Sequence, residues 1–428
     1  MIGALILFAV TYVFILAFGK YRPYIALASG LIFLLTGMLS FNKNLFVTVG
    51  DNGAVIDFNV LLMIAGSMGL VQLFIDSKMP DRLAELIIDK VKNVQMAAVA
   101  LALFAGIISA FVDNVATVLM IAPVAIQICK KLKTNPVPFI IAIAVSSNLQ
   151  GAATLVGDTT AIMLGSEAKM SFLDFFWYQG KPSIFFAVEL GAVVSAIILA
   201  WIFRKEKQPI PKQEEKTKVE DLVPTYLLLV MLALLIGASF VNNKLEITNG
   251  LICCVLFVIG LVYNFIRYKR KDFVLGAVKA IDFQTLGLLL GLFLMIGGIK
   301  EQGVIDSAAN LLAQLGGGKE FMLFTVVVWF SVAISAFIDN IPYVATMLPI
   351  ITGLGINPTL LYFGLLSGAT LGGNITPIGA SANITGTAIL RKEGYEVKNK
   401  DFFKIGIPFT LAAVISAYVY LWIVYGVL

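Results

Sequence analysis

The residues of this chain with chemistry to do are acids set in apolar sequence. Asp113 and Asp339 each precede an asparagine in near-copies of one phrase, Ser109-Ala110-Phe111-Val112-Asp113-Asn114 and Ser335-Ala336-Phe337-Ile338-Asp339-Asn340. Asp158 closes a polar stretch that opens at Ser147-Asn148 and passes Gly151, Thr154 and Gly157. Glu189 lies a third of the way along another apolar run and has no acidic counterpart in the second half of the chain. A carboxylate at membrane depth is costly and tends to be kept for function. Such acids carry protons, and with the neutral oxygens of Asn, Ser and Thr they bind small cations or hydroxylated solutes. An Asp-Asn pair also caps a helix N-terminus, but serine would do that without a charge. Asp57 and Asp282 begin apolar runs near the interface and read as caps.

These residues fall into two matched groups. The first holds Asp113, Asn114, Ser147, Asn148, Thr154 and Asp158; the second holds Asp339, Asn340, Thr370, Asn374, Thr376, Ser381 and Asn383. Asp113, Asp158, Asp339 and Glu189 are the candidates for proton coupling. Gly151, Gly157, Gly372, Gly373 and Gly379 let backbone approach a small ligand, and Pro342 and Pro377 oppose regular helix in the second group. Histidine is absent, and Cys129, Cys253 and Cys254 have no metal-ligand spacing, so neither a metal nor a cofactor is expected.

The elements that must position these side chains are membrane spans. The 428 residues are 59% hydrophobic and 13% charged, about half the charged fraction of a soluble domain. Apolar runs of roughly 17–25 residues predict transmembrane helices, not a barrel of alternating strands. Spans are expected near 2–18, 23–40, 58–76, 138–169, 182–203, 222–241, 247–266, 282–300, 359–390 and 405–427, with an amphipathic interfacial helix over 77–94. The spans 138–169 and 359–390 are interrupted, the first from Ser146 through Asp158. Segments 95–129 and 321–352 are each split by their Asp-Asn pair into arms of about 15 residues. Such an arm rises only about 22 Å, short of a hydrocarbon core of roughly 30 Å, so both segments read as re-entrant hairpins. No cleavable signal is expected, because no positive region precedes the first apolar run.

The order of elements repeats on either side of a charged, proline-bearing linker over 204–221. Ile56-Asp57-Phe58 and Gly66 match Ile281-Asp282-Phe283 and Gly291 at an offset of 225; Ser109–Asn114 and Pro123 match Ser335–Asn340 and Pro349 at 226; Gly151, Thr154 and Gly157 match Gly373, Thr376 and Gly379 at 222. Internal repeats of this kind are a mark of secondary transporters. With both hairpins re-entrant, each half has five spans and the halves are inverted. Then 25 of the 31 Lys and Arg residues share one side, and only Lys43, Lys169, Lys181, Lys244, Lys300 and Lys319 lie on the other. Letting both hairpins cross would make the split 16 to 15. The positive-inside rule favours the re-entrant arrangement, with both termini outside a plasma or inner membrane. The fold expected is an all-α polytopic membrane protein of two inverted repeats, 1–203 and 222–428. Hairpin tips and broken helices should meet near the midplane.

The carrying stretches resemble the ion transporter superfamily over nearly the whole chain. They are Phe111-Val112-Asp113-Asn114-Val115-Ala116-Thr117-Val118-Leu119, Ser147-Asn148 leading to Thr154-Leu155-Val156-Gly157-Asp158, Asp339-Asn340-Ile341-Pro342, and Leu371 through Asn383. They are most similar to the branch of arsenite efflux permeases (ArsB type), NhaD-type sodium/proton antiporters and the melanosomal P protein. The resemblance implies a scaffold domain (1–94 and 222–320), a transport domain (95–181 and 321–391), an elevator-like movement and commonly a homodimer. Dicarboxylate symporters of the superfamily carry Ser-Asn-Thr at each hairpin tip. Here the tips read Asp113-Asn114-Val115 and Asp339-Asn340-Ile341, and a desolvated carboxylate would repel a polycarboxylate by several kcal/mol.

The function expected is secondary active efflux of arsenite or antimonite in exchange for protons. The alternatives are sodium/proton antiport, organic anion (dicarboxylate) transport and, from another class, a channel or membrane scaffold without coupled transport. An enzymatic role has little support: the chain has neither histidine nor a Walker-type phosphate loop. An ATP-driven version would need a separate cytoplasmic ATPase subunit. The expected partners are the lipid bilayer, a small inorganic solute and a proton or sodium ion. The net charge of +5 marks a membrane face and does not argue for nucleic acid.

Overall fold

The computed structural model describes residues 1–41, 55–210, 216–269 and 271–427. Lys43, residues 211–215 of the linker and Arg270, one of the cations counted on the richer side, lie outside the described residues. Nineteen α-helices are described, and six of them are long and apolar enough to cross a bilayer, or eight if each of two bent pairs is one span. Large apolar side chains such as Phe14, Val193, Ile197, Leu229, Val258 and Val262 stand exposed on the outer helices, as a lipid-facing surface requires.

The first half runs α1 (Ile2–Ala17), α2 (Arg22–Leu35), α3 (Phe58–Asp76) and α4 (Met79–Ile88). A short turn at Gly19–Tyr21 bends the chain by 114° between α1 and α2. α2 ends at Leu35, five residues before the expected limit, and Gly37 follows at φ +72. The Asp57 carboxylate caps α3 through Val60 N. α5 (Val94–Ser109) and α6 (Asn114–Leu132) make the first split segment, α7 (Val137–Gly151) and α8 (Thr159–Glu167) the first broken span. α6 has 19 residues, longer than the expected arm of about 15, because Lys130 and Lys131 extend its last turn; it is one of the six helices long enough to cross a bilayer, so arm length does not mark the first split segment as re-entrant. α7 is helical through Ser146, Ser147 and Asn148, so the break is confined to 152–158. After a two-stranded turn pairing Trp177–Tyr178 with Lys181–Pro182 comes α9 (Ile184–Ile202).

The second half repeats the order: α10 (Val223–Ala238), α11 (Thr248–Tyr268), α12 (Lys271–Lys279), α13 (Phe283–Glu301), α14 (Val304–Gly316), α15 (Glu320–Ser335), α16 (Asn340–Thr352), α17 (Thr359–Gly372), α18 (Ser381–Lys392) and α19 (Asn399–Leu421). The short helices α12 and α14 were not anticipated from sequence. Each is too polar and too brief to read as a span.

Matching glycines set the closest helix approaches. A Cβ on Gly66 of α3 would stand 2.5 Å from the backbone of Cys253 and Cys254 on α11, and one on Gly291 of α13 would stand 2.3 Å from that of Ala26 on α2. Small residues allow such approach inside membranes. The contacts join α3 to α11 and α13 to α2, so each half supplies one partner of each pair.

The described residues of the linker are tied to the rest of the fold. Val94 N donates to Gln208 O at 3.0 Å and Gln95 N to Glu206 O at 2.8 Å. Further on, Thr217 N donates to the Glu85 carboxylate of α4 at 2.9 Å and Glu220 N to Ser77 O, just before α4, at 3.1 Å. Residues 206–208 are thus pinned to the start of α5 and residues 217–220 to α4 and the turn before it, α4 being the helix that joins α3 to the first split segment.

Candidate functional site

The two Asp-Asn pairs sit where the split segments turn. Asp113 Oδ1 accepts from Val115 N at 3.0 Å and Ala116 N at 3.1 Å, and Asp339 Oδ1 accepts from Ile341 N at 3.1 Å. Both acids therefore cap the following helix through one oxygen, which leaves the other for a further partner. Asp158 caps α8 through Thr159 N at 2.8 Å. Its Oδ2 accepts from Thr160 Oγ1 at 2.8 Å and from Asn340 Nδ2 at 3.4 Å, so the first break is joined directly to the second hairpin tip.

Behind these acids lies a buried amide network that crosses between the halves. Asn114 Nδ2 donates to Asn148 Oδ1 at 3.0 Å, and Ser147 Oγ donates to Asn114 O at 3.0 Å. Asn148 Nδ2 donates to Thr370 O at 2.6 Å and to Asn374 Oδ1 at 3.1 Å; Asn374 Nδ2 donates to Val145 O at 2.9 Å. Thr160 and Thr370 hydroxyls pair at 3.0 Å. Asn148, Thr160, Thr370 and Asn374 have no solvent exposure. In such surroundings a satisfied network is rigid and an unmade bond is costly.

The two breaks are held alike. Thr154 Oγ1 donates to Ala110 O and Thr376 Oγ1 to Ala336 O, tying each break to the end of its hairpin's first arm. A Cβ on Gly157 would stand 2.6, 2.7 and 2.8 Å from the carbonyl oxygens of Gly151, Ser109 and Ala110. One on Gly379 would stand 2.6, 2.7 and 2.9 Å from those of Gly373, Ser335 and Ala336. Only glycine lets three carbonyls converge this closely. Asn383 Nδ2 spans the second break to Gly373 O at 3.0 Å and Thr376 O at 3.1 Å, and its Oδ1 has no partner among the described residues.

In front of the network is a cavity of about 230 Å³. Its polar lining is Asp113, Asn114, Asp158, Thr159, Asn340 and Ser381 from the hairpins and breaks, with Gln72, Asp282 and Thr285 from α3 and α13. No lysine or arginine is among the described lining residues. Asp113, Asp158 and Asp282 give the space a negative potential that draws cations or protons and repels anions. They are spread around it: among the described residues no three acids, cysteines or histidines stand close enough to hold a metal ion.

The structure thus brings Asp113, Asn114, Asp158, Asn340 and Ser381 to one cavity and puts Ser147, Asn148, Thr154, Asn374, Thr376 and Asn383 in the support behind it. Asp339 is not part of the lining; its Oδ2 meets the Arg22 guanidinium of α2. Glu189 stands apart on α9, half-buried, with no hydrogen bond or ion pair among the described residues. Sequence reading missed Arg22, Thr160, Gln72 and Thr285, and took Asp282 for a cap alone. Asp282 does cap α13, through Gln284 N and Thr285 N at 3.0 Å, and also faces the cavity. A spacing of two from Asp158 was the available signal for Thr160. Nothing local marked Arg22.

Comparison with known proteins bears on this arrangement. The profile of the CitMHS family, described as citrate transporter, matches residues 12–355 and 250–428. A 46 kDa membrane protein of Mycobacterium leprae is 32% identical over 328 residues, covering 75% of each chain. An uncharacterized transporter of Mycobacterium tuberculosis is 30% identical over 381 residues, covering 87% of each. The human P protein is 26% identical over 452 residues, covering 87% of this chain and 54% of its own. Among solved structures, the YdaH transporter of Alcanivorax borkumensis superposes with a TM-score of 0.60 at 13% identity, over 97% of this chain and 98% of that one. MtrF of Neisseria gonorrhoeae, described with a class of antimetabolite efflux pumps, gives 0.58 at 18% identity, over 93% of this chain and 85% of that one. Identities this low speak for the fold alone.

Proposed function

The chain belongs to the CitMHS family of transporters, and from that premise we propose that it is a proton-coupled exporter of a small, neutral, polyhydroxylated solute, with arsenite and antimonite as its substrates. The observation that carries the reading is the cavity, in which acids, amides and hydroxyls converge and no lysine or arginine is among the described lining residues. Trivalent arsenic hydroxide is uncharged near neutral pH. It can donate to carboxylates and accept from Asn114, Asn340 and Ser381. Asp113 and Asp158 then carry the exchanged proton, and the buried amide network keeps their surroundings rigid as the site changes exposure.

The repeated packing supports a scaffold of 1–94 and 222–320 holding a transport domain of 95–181 and 321–391. In this reading the halves are inverted, the termini are outside the plasma membrane, and access alternates by an elevator-like movement, commonly within a homodimer. Transport then needs no ATPase subunit.

The family's description favours a second reading, citrate. A trivalent anion meets three carboxylates here, so citrate would have to enter with its charge offset by protons or a bound cation. One reconstituted sample separates these readings, assayed with arsenite, antimonite, citrate and sodium under an imposed proton gradient. Arsenite movement driven by the gradient, with rescue of an arsenite-sensitive host, is the expected result. Citrate transport without arsenite transport transfers the assignment to the second reading, and sodium-dependent proton flux alone to sodium/proton antiport.

A further inference from the structure

Three cavities follow one another along the packing of α3 against α8. The main cavity touches α3 at Met68, Val71, Gln72 and Ile75 and α8 at its first residue, Thr159. A second, of about 10 Å³, touches α3 at Ile64, Ser67 and Met68 and α8 at Thr159 and Ile162, with Asp113 and Asp158 beside them. A third, of about 310 Å³, touches the start of α3 at Phe58 and Asn59 and the end of α8 at Gly165 and Ser166. Positions fall along α3 as they rise along α8, so the three mark one seam between antiparallel helices. Its far end is tied shut: Ser166 Oγ donates to Asp57 Oδ2.

The repeat supplies the same seam a second time, parted. Offsets of 225 and 222 match Asp57 with Asp282, and Thr159, Ile162 and Ser166 of α8 with Ser381, Ile384 and Ala388 of α18. Each trio lies on one face of its helix. The α8 face is packed on α3, and Ile162 is 3% exposed; the α18 face is open, and Ile384 is 46% exposed. Ahead of the two helices, Val156 is 3% exposed and its counterpart Ile378 is 59% exposed. The hydrogen bonds of the Asp282 carboxylate stay within α13, at Gln284 and Thr285, and among the described residues none joins α13 to α18. In the second half, therefore, Asp282 and Ser381 line one cavity, whereas in the first half Asp57 and Thr159 line separate ones.

Charge sets the two mouths on opposite faces. Lys169 and Lys244, two of the six cations counted on the sparser side, line the third cavity. The main cavity reaches Ile75 and Ala280, close in sequence to Lys78 and Lys279 of the richer side.

We infer that the α3–α8 seam is a second access route to Asp113 and Asp158, entered from the face opposite the main cavity, and that the Ser166–Asp57 bond is the catch that holds it closed. This rests on the alternating-access reading above and adds a route and two residues to it. The route opens by exchange: α8 leaves α3, and the exposed face of α18 seats on α13. Inverted repeats give alternating access in this way, one part moving against the other. The catch is present on one side only, because Ser166 has Ala388 as its counterpart. A hydroxyl bonded to a carboxylate is stronger than a neutral hydrogen bond, and an equilibrium shifts by what distinguishes its two states. The catch therefore favours the arrangement seen here, and losing the hydroxyl moves the population toward the other.

Exposure of single cysteines tests this without substrate. Cys129, Cys253 and Cys254 are replaced by alanine, and Ile162→Cys or Ile384→Cys is introduced. A membrane-impermeant maleimide is then applied to right-side-out and to inverted vesicles. Ile384→Cys should react readily from one face, and Ile162→Cys slowly and from the other. Ser166→Ala should speed the labelling of Ile162→Cys about tenfold, the effect of one hydrogen bond to a charged group. Buried Cys129, kept as the single cysteine in a parallel sample, should stay unreactive with or without Ser166→Ala. Labelling of both reporters from the same face overturns the route. A rate for Ile162→Cys that Ser166→Ala leaves unmoved, or that rises together with that of Cys129, overturns the catch. Sided labelling without proton-driven transport keeps the seam and rejects the function. Proton-driven transport with Ile162→Cys unlabelled from either face rejects the seam and keeps the function.

Discussion

At the scale of single residues, the division of labour is between acids that face the cavity and amides that hold them. Asn148 is the clearest of the second kind, since its one side chain bonds partners from both halves. Asn148→Ala leaves Thr370 O and the Asn114 and Asn374 amides short of partners, at about 1–3 kcal/mol for each buried group left unsatisfied. Its thermal unfolding midpoint in detergent should fall by several degrees, and transport should fall with it. Asp158→Asn keeps the shape and loses the charge. Its expected outcome is normal folding and solute binding with proton-driven accumulation reduced at least about tenfold, read in vesicles under an imposed gradient. The acids were legible in the sequence because charge in apolar surroundings is rare and the phrase around it recurs. Arg22 was not. Its partner lies 317 positions away, and among the cations expected to cluster on one membrane face it looked like one more topological marker.

At the scale of elements, the breaks in α7–α8 and α17–α18 matter more than the helices they interrupt. Their positions were legible from Gly151, Gly157, Gly373 and Gly379, but their extents were not. Ser146-Ser147-Asn148 read as broken backbone, whereas α7 stays helical there and spends the side chains of Ser147 and Asn148 on tertiary bonds. Polar residues inside an apolar helix and polar residues in a loop look alike until their partners are known. Gly157→Ala and Gly379→Ala push a methyl group into three carbonyl oxygens at 2.6–2.9 Å. Each should cost about 1–3 kcal/mol or more, seen as lower yield of monodisperse protein, and the two should behave alike because the same trio of carbonyls recurs. The linker is the other element whose role changed. Glu85→Ala removes the acceptor of Thr217, so trypsin should cut after Lys216 and Lys218 faster than in the parent while cleavage elsewhere is unchanged.

At the scale of the whole molecule, the repeat was the most legible feature, since three blocks keep nearly one offset. What sequence could not supply was the pairing of the blocks. The glycine seams run between halves, α2 with α13 and α3 with α11, and so do the bonds around Asn148. α9 and α19 also meet across the halves, where Gly191 abuts Ala413 and Ser195 Oγ donates to Phe409 O at 2.9 Å. The consequence concerns heredity as much as mechanics. Neither half encloses its own interior, so a gene fragment encoding one alone should yield an insoluble or degraded product. Two fragments expressed together, parted within the linker, should find each other and restore transport. Any ancestral single-length form of this chain would have had to work as a pair of chains, with the seams described here as its subunit interface.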